Sequence, residues 1–278
     1  MKTKAAIFYC LIYMDNTLVK QLIILSLFLT VTSALFAQKS DTAKFRFKTI
    51  VIDAGHGGKD PGAAGKYSTE KSVTLAIAKR LRRALAEDMP SLNIIMTRSD
   101  DTFIGLSKRS DIANDAHANL FLSIHCNSSP VGTGWQNRGA EILVYAIKRS
   151  KEQFEATREN ASILLEKNYK SKYASYDESN PANLMILNML MQKSRKQSII
   201  FGDLISKEVK SNEKRRSMGV KEQSVLVLAH AGMPAVLFET GYINNEDDEN
   251  YLNSEDGQDA IVQSIVRALK TYKKQMAQ

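Results

Sequence analysis

The chain has 278 residues, 44% of them hydrophobic and 24% charged, with a formal net charge of +8. That balance excludes a fully disordered chain, and five prolines with fourteen glycines exclude collagen-like and low-complexity classes. Two cysteines, Cys10 and Cys126, are too few for a disulfide scaffold or a Cys-rich zinc site. At roughly 150 residues per domain, the length allows one large domain or two small ones.

Residues 22–37, LIILSLFLTVTSALFA, form an uncharged apolar run of 16 residues behind Lys20 that ends in small residues. This is the layout of a secretory signal with cleavage after Ala37. An uncleaved anchor is the alternative, although a spanning helix needs about 20 apolar residues. Residues 5–14 are also mostly apolar, so a start at Met14 gives a more usual signal. Loss of 1–37 leaves 35 basic and 29 acidic residues, a charge of +6, and removes Cys10. Export places the mature chain in the periplasm, or alternatively outside the cell or on the cell wall, with no stable membrane span. Residues 38–46 read as a short linker.

From there strands and helices alternate. FKTIVIDA (47–54) is a buried-strand run that stops at Gly55-His56-Gly57-Gly58. Residues 69–87 carry Val73, Ile77, Leu81 and Leu85 at helical spacing. NIIMTR (93–98) reads as a strand, 106–116 as a helix, NLFLSI (119–124) and GAEILVYA (139–146) as strands. Helical pattern fills 150–168 and 183–211. VLVL (225–228) and AVLFE (235–239) are short apolar strands, and a helix over 255–276 closes the chain. The alternation predicts a single α/β domain with helices on both faces of the sheet.

In open α/β sheets ligands sit beyond the carboxyl ends of the strands. His56, His125 and Glu239 each follow an apolar strand at that end, and Glu70 opens the helix that returns from the same edge. Two imidazoles and one carboxylate, with a position left for water, are the usual catalytic zinc set, and a second carboxylate serves as general base. Each residue also has a plain structural reading: a hydrogen-bonded His after a strand, or an acid favoured by the helix dipole in the case of Glu70. Glu239 is harder to dismiss, because a carboxylate closing an apolar strand needs a partner. His117 and His230 read as structural. Trp135 suits stacking on a sugar or simple packing. Cys126 lies beside His125, but strand alternation turns its side chain to the opposite face.

The segments IVIDAGHGGKDPGAAG, Glu70, TRSDD…LSKRSDIAN (97–114), SIHCNS (123–128) and VLFETGYINNEDD (236–248) resemble the zinc-dependent N-acetylmuramoyl-L-alanine amidases involved in bacterial cell separation. The resemblance spans roughly residues 47–275. It implies a twisted, mostly parallel six-stranded sheet, one Zn2+ held by His56, Glu70 and His125, and Glu239 as the catalytic glutamate. Arg98, Arg109, Asn114 and Asn127 match motif positions that support the site. The implied reaction is hydrolysis of the amide between N-acetylmuramic acid and the L-alanine of the stem peptide in peptidoglycan. A catalytically inactive peptidoglycan-binding protein and a zinc peptidase acting on cross-links are the other readings.

About 147–224 is longer than the minimal fold needs, and connections of that length without function are uncommon. Around ENASILL it resembles the cell-division branch of the family, in which an inserted helix blocks the zinc until an activator protein displaces it. The resemblance implies a regulatory insertion at about 150–215, with Glu166, Asp177 and Glu178 as candidate inhibitory ligands. Residues 193–216 hold eight basic and three acidic residues. They lack the aromatic interleaving of a single-strand binder, so no nucleic-acid role is expected.

Overall fold

The computed structural model describes residues 46–130, 137–146, 153–174 and 180–277, together with Gln21. The secretory signal over 1–37 and most of the linker therefore lie outside the described residues, as do Trp135, Asp177 and Glu178. By its contacts the chain divides between Phe45 and Arg46, and the second unit carries the whole fold described below.

Its elements are β1 (Thr49–Ala54), α1 (Glu70–Asp88), β2 (Asn93–Met96), α2 (Leu106–Asp115), β3 (Leu120–Asn127), β4 (Ala140–Tyr145), α3 (Phe154–Asn160), a 3-10 turn (Ala161–Leu165), α4 (Tyr169–Lys172), α5 (Pro181–Ser211), β5 (Ser217–Gln223), α6 (Leu226–Ala229), β6 (Ala235–Tyr242), α7 (Glu246–Asn253) and α8 (Glu255–Met276). One six-stranded sheet runs β2-β1-β3-β6-β4-β5. All neighbours are parallel except β4, which runs antiparallel to β6. The α/β domain expected from the alternation, with the mostly parallel six-stranded sheet that the resemblance implies, is thus the fold observed.

Because side chains alternate along a strand, each strand feeds two cores. Ile50, Ile52, Leu122, Ile124, Val236 and Phe238 face α1, α5 and α8, whereas Val51, Phe121, Leu143 and Leu237 face α2 and α6. The helical stripe of α1 behaves as its spacing predicts: Val73, Ile77, Leu81 and Leu85 are all buried.

One expectation fails here. VLVL is not a strand but lies across α6, where Val227, Leu228 and Ala229 are buried together; four apolar residues are too few for periodicity to separate helix from strand. The sixth strand is instead SMGVKEQ, an edge strand only partly buried for most of its length. Its polar residues suit an edge, where one side of the strand meets solvent. Within the 150–215 segment, Phe201, Ile205 and Val209 in the second half of α5 are fully buried in the main core.

Beneath the site edge lies a buried ionic knot. Asp53 accepts from Arg109 Nη1 at 2.7 Å, Thr97 Oγ1 at 2.6 Å and Ser123 Oγ at 2.6 Å. Burial works to raise the Asp53 pKa, but the Arg109 guanidinium and the two hydroxyls outweigh it and hold the carboxyl below its usual range. A depressed carboxylate contributes stability above its unfolded pKa, and that contribution disappears as pH falls through the native value. Asp53→Asn is expected to destabilise the fold by about 3–5 kcal/mol at neutral pH, since it strands a buried guanidinium. Chemical denaturation across pH 3 to 7 checks this: the gap between wild type and variant should narrow in acid, and a constant gap contradicts the assignment.

Candidate metal and active site

His56, His125 and Glu239 meet at one edge because β1, β3 and β6 are parallel neighbours that end together. In the ladder His125 is paired with Glu239. Glu70 reaches the same place from the first turn of α1. The four ligand-type residues grouped there are His56, Glu70, His125 and Glu159, whose ligand atoms all lie within 4.8 Å of one another. Three of them are the residues expected from the sequence. Glu159 is new, and it comes from α3.

Glu70 is the centre of the group. Its Oε1 is 2.9 Å from His125 Nδ1 and 3.1 Å from His56 Nε2, and accepts from the Cys126 backbone N–H at 2.9 Å. Its Oε2 accepts from the Ala63 N–H at 2.8 Å. The other ring nitrogen of His56 faces Asp60 Oδ2 at 2.9 Å, which aims Nε2 into the group, as an orienting carboxylate does for a metal ligand. Cys126 contributes its backbone only; its thiol is buried on the opposite face, 3.6 Å from Thr240 Oγ1.

The glycines beside His56 are steric requirements. A Cβ on Gly55 would sit 2.5 Å from the His125 ring, and one on Gly62 would sit 2.6 Å from Glu70 Oε2. His56 itself has φ of 59°, a left-handed conformation uncommon for a residue with a side chain. Its loop is held by two arginines. Arg98 donates to the carbonyls of Ala54 at 2.9 Å and Gly55 at 2.8 Å, and Arg109 donates to His56 O at 2.7 Å. Asn127 donates to Glu141 at 3.3 Å, and Asn114 ties down His230 O and Gly232 N at 2.8 Å each. Arg98 and Arg109 thus hold the His56 loop and Asn127 meets Glu141, whereas Asn114 braces the turn after α6. His117, exposed with a φ of 46°, ends the turn after α2 away from the site.

The segment after β4 closes over this edge. Glu159 Oε2 lies 2.7 Å from His125 Nδ1 and 3.3 Å from His56 Nε2. Arg158 pairs with three carboxylates: Glu159 at 2.6 Å, Glu239 at 3.0 Å and Glu70 at 3.3 Å. Ser162 donates to Asp60 at 2.6 Å, and Asn160 both donates to Ser224 O and accepts from Leu226 N. His56, His125 and Glu239 are consequently almost inaccessible.

Glu166, by contrast, is not at the metal group. Its carboxylate accepts from the Leu106 N–H at 3.1 Å and is bonded by Tyr173 and Lys172, so it caps α2. The carboxylate of this segment that reaches the imidazoles is that of Glu159. No sequence pattern singled Glu159 out, since TREN differs little from any charged helical turn. The one available cue was a neighbouring guanidinium and carboxylate on a helix bordered by Ala156 and Ser162.

The electrostatics follow from crowding. Burial disfavours charge on His56, yet Glu70, Asp60 and Glu159 outweigh it and raise its pKa well above the usual value. For His125 the same contest, with Glu159 as the main opponent of burial, ends at about 9. Burial, with Glu159 and Glu70, pushes Glu239 up to about 8 against the pull of Arg158. The donor set fits a zinc ion: two imidazoles and a carboxylate converge, and His56 Nε2 and both Glu159 oxygens are buried without a well-aligned hydrogen bond.

Two imidazoles, a ligand carboxylate and a second carboxylate on the adjacent strand are the equipment of a metal-dependent hydrolase. The chain belongs to the N-acetylmuramoyl-L-alanine amidase family, whose model matches residues 50–271. It is 32% identical over 227 residues to the amidase AmiC of Escherichia coli, covering 80% of this chain and 52% of that protein. To AmiA of Escherichia coli it is 31% identical over 235 residues, covering 81% of this chain and 76% of the relative. The chain thus spans about half the length of AmiC. Among solved structures, the catalytic domain of the amidase CwlV from Bacillus (Paenibacillus) polymyxa superposes with a TM-score of 0.58 at 28% identity, covering 81% of this chain and 97% of that one.

Gly55→Ala is expected to leave a folded protein with impaired metal uptake, because its Cβ displaces the His125 ring. Metal content by mass spectrometry, read beside the thermal transition, checks this; stoichiometric metal in the variant contradicts it.

Proposed function

We propose that this chain is an exported zinc-dependent amidase that cuts the bond between N-acetylmuramic acid and the L-alanine of the stem peptide, and that the docked segment holds it inactive. The observation that carries the reading is the convergence of His56, Glu70 and His125 beside Glu239 in a family of such amidases. An apolar leader and the absence of a membrane-spanning helix among the described residues accord with action in the envelope. Daughter-cell separation is the cellular role we assign.

His56, Glu70 and His125 would hold the zinc, with Asp60 fixing the His56 ring. When bound, zinc activates water by lowering its pKa towards about 7 and polarises the scissile carbonyl. Glu239 takes the proton of the attacking water and delivers it to the departing alanine nitrogen, so that the carbonyl carbon gains oxygen as the C–N bond breaks. A single carboxylate beside the scissile bond can serve both halves of that transfer.

In the docked state two residues oppose this chemistry by different routes. Glu159 fills the space beside the imidazoles that water must occupy. Arg158 donates to Glu239 Oε1 at 3.0 Å and so occupies the oxygen that must face the attacking water. An activator protein that displaces α3 is the partner this arrangement calls for, and peptidoglycan is the substrate.

Glu239→Gln should bind zinc normally and lose about 10²–10⁴-fold in turnover. Full activity in that variant overturns the assignment. Glu159→Ala should weaken docking by about 3–5 kcal/mol, as removal of one partner from a buried ionic pair does. Basal release of stem peptides with a free N-terminal alanine, followed by mass analysis of digested peptidoglycan with and without chelator, should therefore rise. Unchanged basal release counts against inhibition by this segment.

A further inference from the structure

Beyond Glu239, on the same face of the sheet, lies a polar patch that the hydrolysis does not use. Glu141 is paired with Glu239 in the β4–β6 ladder, and Leu143 and Tyr145 of β4 are paired with Lys221 and Gln223 of β5. Glu141 is fully buried, and Gln223 is nearly so. Lys221 Nζ lies 2.5 Å from Glu141 and 3.9 Å from Glu155 of α3. Gln223 donates to Glu155 at 2.5 Å and accepts from the Ala156 N–H at 2.8 Å. The docked segment therefore places one carboxylate, Glu159, at the metal group and a second, Glu155, against an ammonium and a side-chain amide.

Glu155 and Glu159 are four residues apart on a helix, so their Cβ atoms are about 6 Å apart on one face. The substrate offers a matching pair. The lactyl carbonyl to be cut is followed by L-alanine and then by a second residue, D-glutamate, whose α-carboxylate is free. Two extended residues span at most about 7 Å. A scissile carbonyl at the metal group thus lets that carboxylate reach about as far as the Glu159–Glu155 spacing on α3.

We infer that Lys221 and Gln223 form a subsite for the carboxylate of the second stem residue, and that α3 docks as a mimic of the substrate's two oxygen groups. The inference rests on the reading of α3 as the inhibitory segment and names what that segment imitates. Glu141 anchors the Lys221 ammonium; Gln223, held by its contact with the α3 backbone in the docked state, turns its amide N–H to the incoming chain. Substrate and segment then exclude one another at two points rather than one.

The test uses the full mature chain carrying Glu159→Ala, loaded with zinc, and two soluble probes: N-acetylmuramoyl-L-alanyl-D-glutamate and its D-isoglutamine counterpart, in which the carboxylate is an amide. The acid is expected to show a KM about tenfold lower than the amide, the scale of one hydrogen bond to a charged group. Lys221→Met should raise KM for the acid about tenfold, leave the amide unchanged and keep kcat within about a factor of two. Calorimetric binding of both probes to the Glu239→Gln form gives the same ratio without turnover. Equal KM values in the parent, or a preference that survives Lys221→Met, overturn the subsite. The parent comparison needs no change at Lys221, so a poorly folding variant does not spare the idea. Glu155→Gln in the otherwise wild-type chain should raise basal activity with the acid-to-amide ratio intact. If basal activity stays flat in both Glu155→Gln and Glu159→Ala, the inhibitory reading fails, while the acid-to-amide ratio still judges the subsite.

Discussion

Everything at the site edge depends on a carboxylate buried where water cannot reach it. Glu70 is fully inaccessible, and a charge so placed survives only if every oxygen lone pair is met. The backbone of Ala63 and Cys126 meets part of that demand, and the His125 ring and the Arg158 guanidinium meet more of it. This requirement draws together β3, the loop after β1 and the head of α1. It also explains the glycines: Gly55 and Gly62 leave no room for a Cβ because the ligands must touch across their backbones.

The same demand makes a reversible plug feasible. α3 covers the ligand group with an adjacent pair of opposite charges, Arg158 and Glu159, so the docked state does not bury a net charge. Arg158 answers Glu70, Glu159 and Glu239 together. Neutral contacts at the flanks, Ser162 on Asp60 and Asn160 on the Ser224–Leu226 backbone, fix the angle at which the pair enters. Further along, Glu166 caps α2 and ties the segment's far end to the fold.

What the sequence disclosed follows from which signals are local. Val73, Ile77, Leu81 and Leu85 announce α1 because a helix repeats its burial every turn, and His56, His125 and Glu239 stand out because each closes an apolar run. β5 did not stand out, since an edge strand with Lys221, Glu222 and Gln223 has no apolar alternation to show. VLVL misled because four buried residues look alike in helix and strand. Glu159 was hidden for another reason: its role arises from tertiary placement opposite two imidazoles more than thirty residues away in sequence. Glu166, seven residues on, was an equally good candidate until the 3-10 turn over Ala161–Leu165 carried it to the head of α2.

Charge balance links the plug to the substrate. When α3 leaves, Arg158 and Glu159 go together and cancel, so the ligand group and Glu239 lose a cation and an anion at once. Glu155 leaves as well, and it is not cancelled within α3. Its departure deprives Lys221 and Gln223 of a carboxylate while Glu141 remains beside Lys221. On the proposed reading, a stem peptide bearing a carboxylate two residues from the scissile bond takes the place that Glu155 leaves beside Lys221 and Gln223. The β4–β5 edge, which contributes nothing to the metal group, is on this account the part of the fold that reads the peptide.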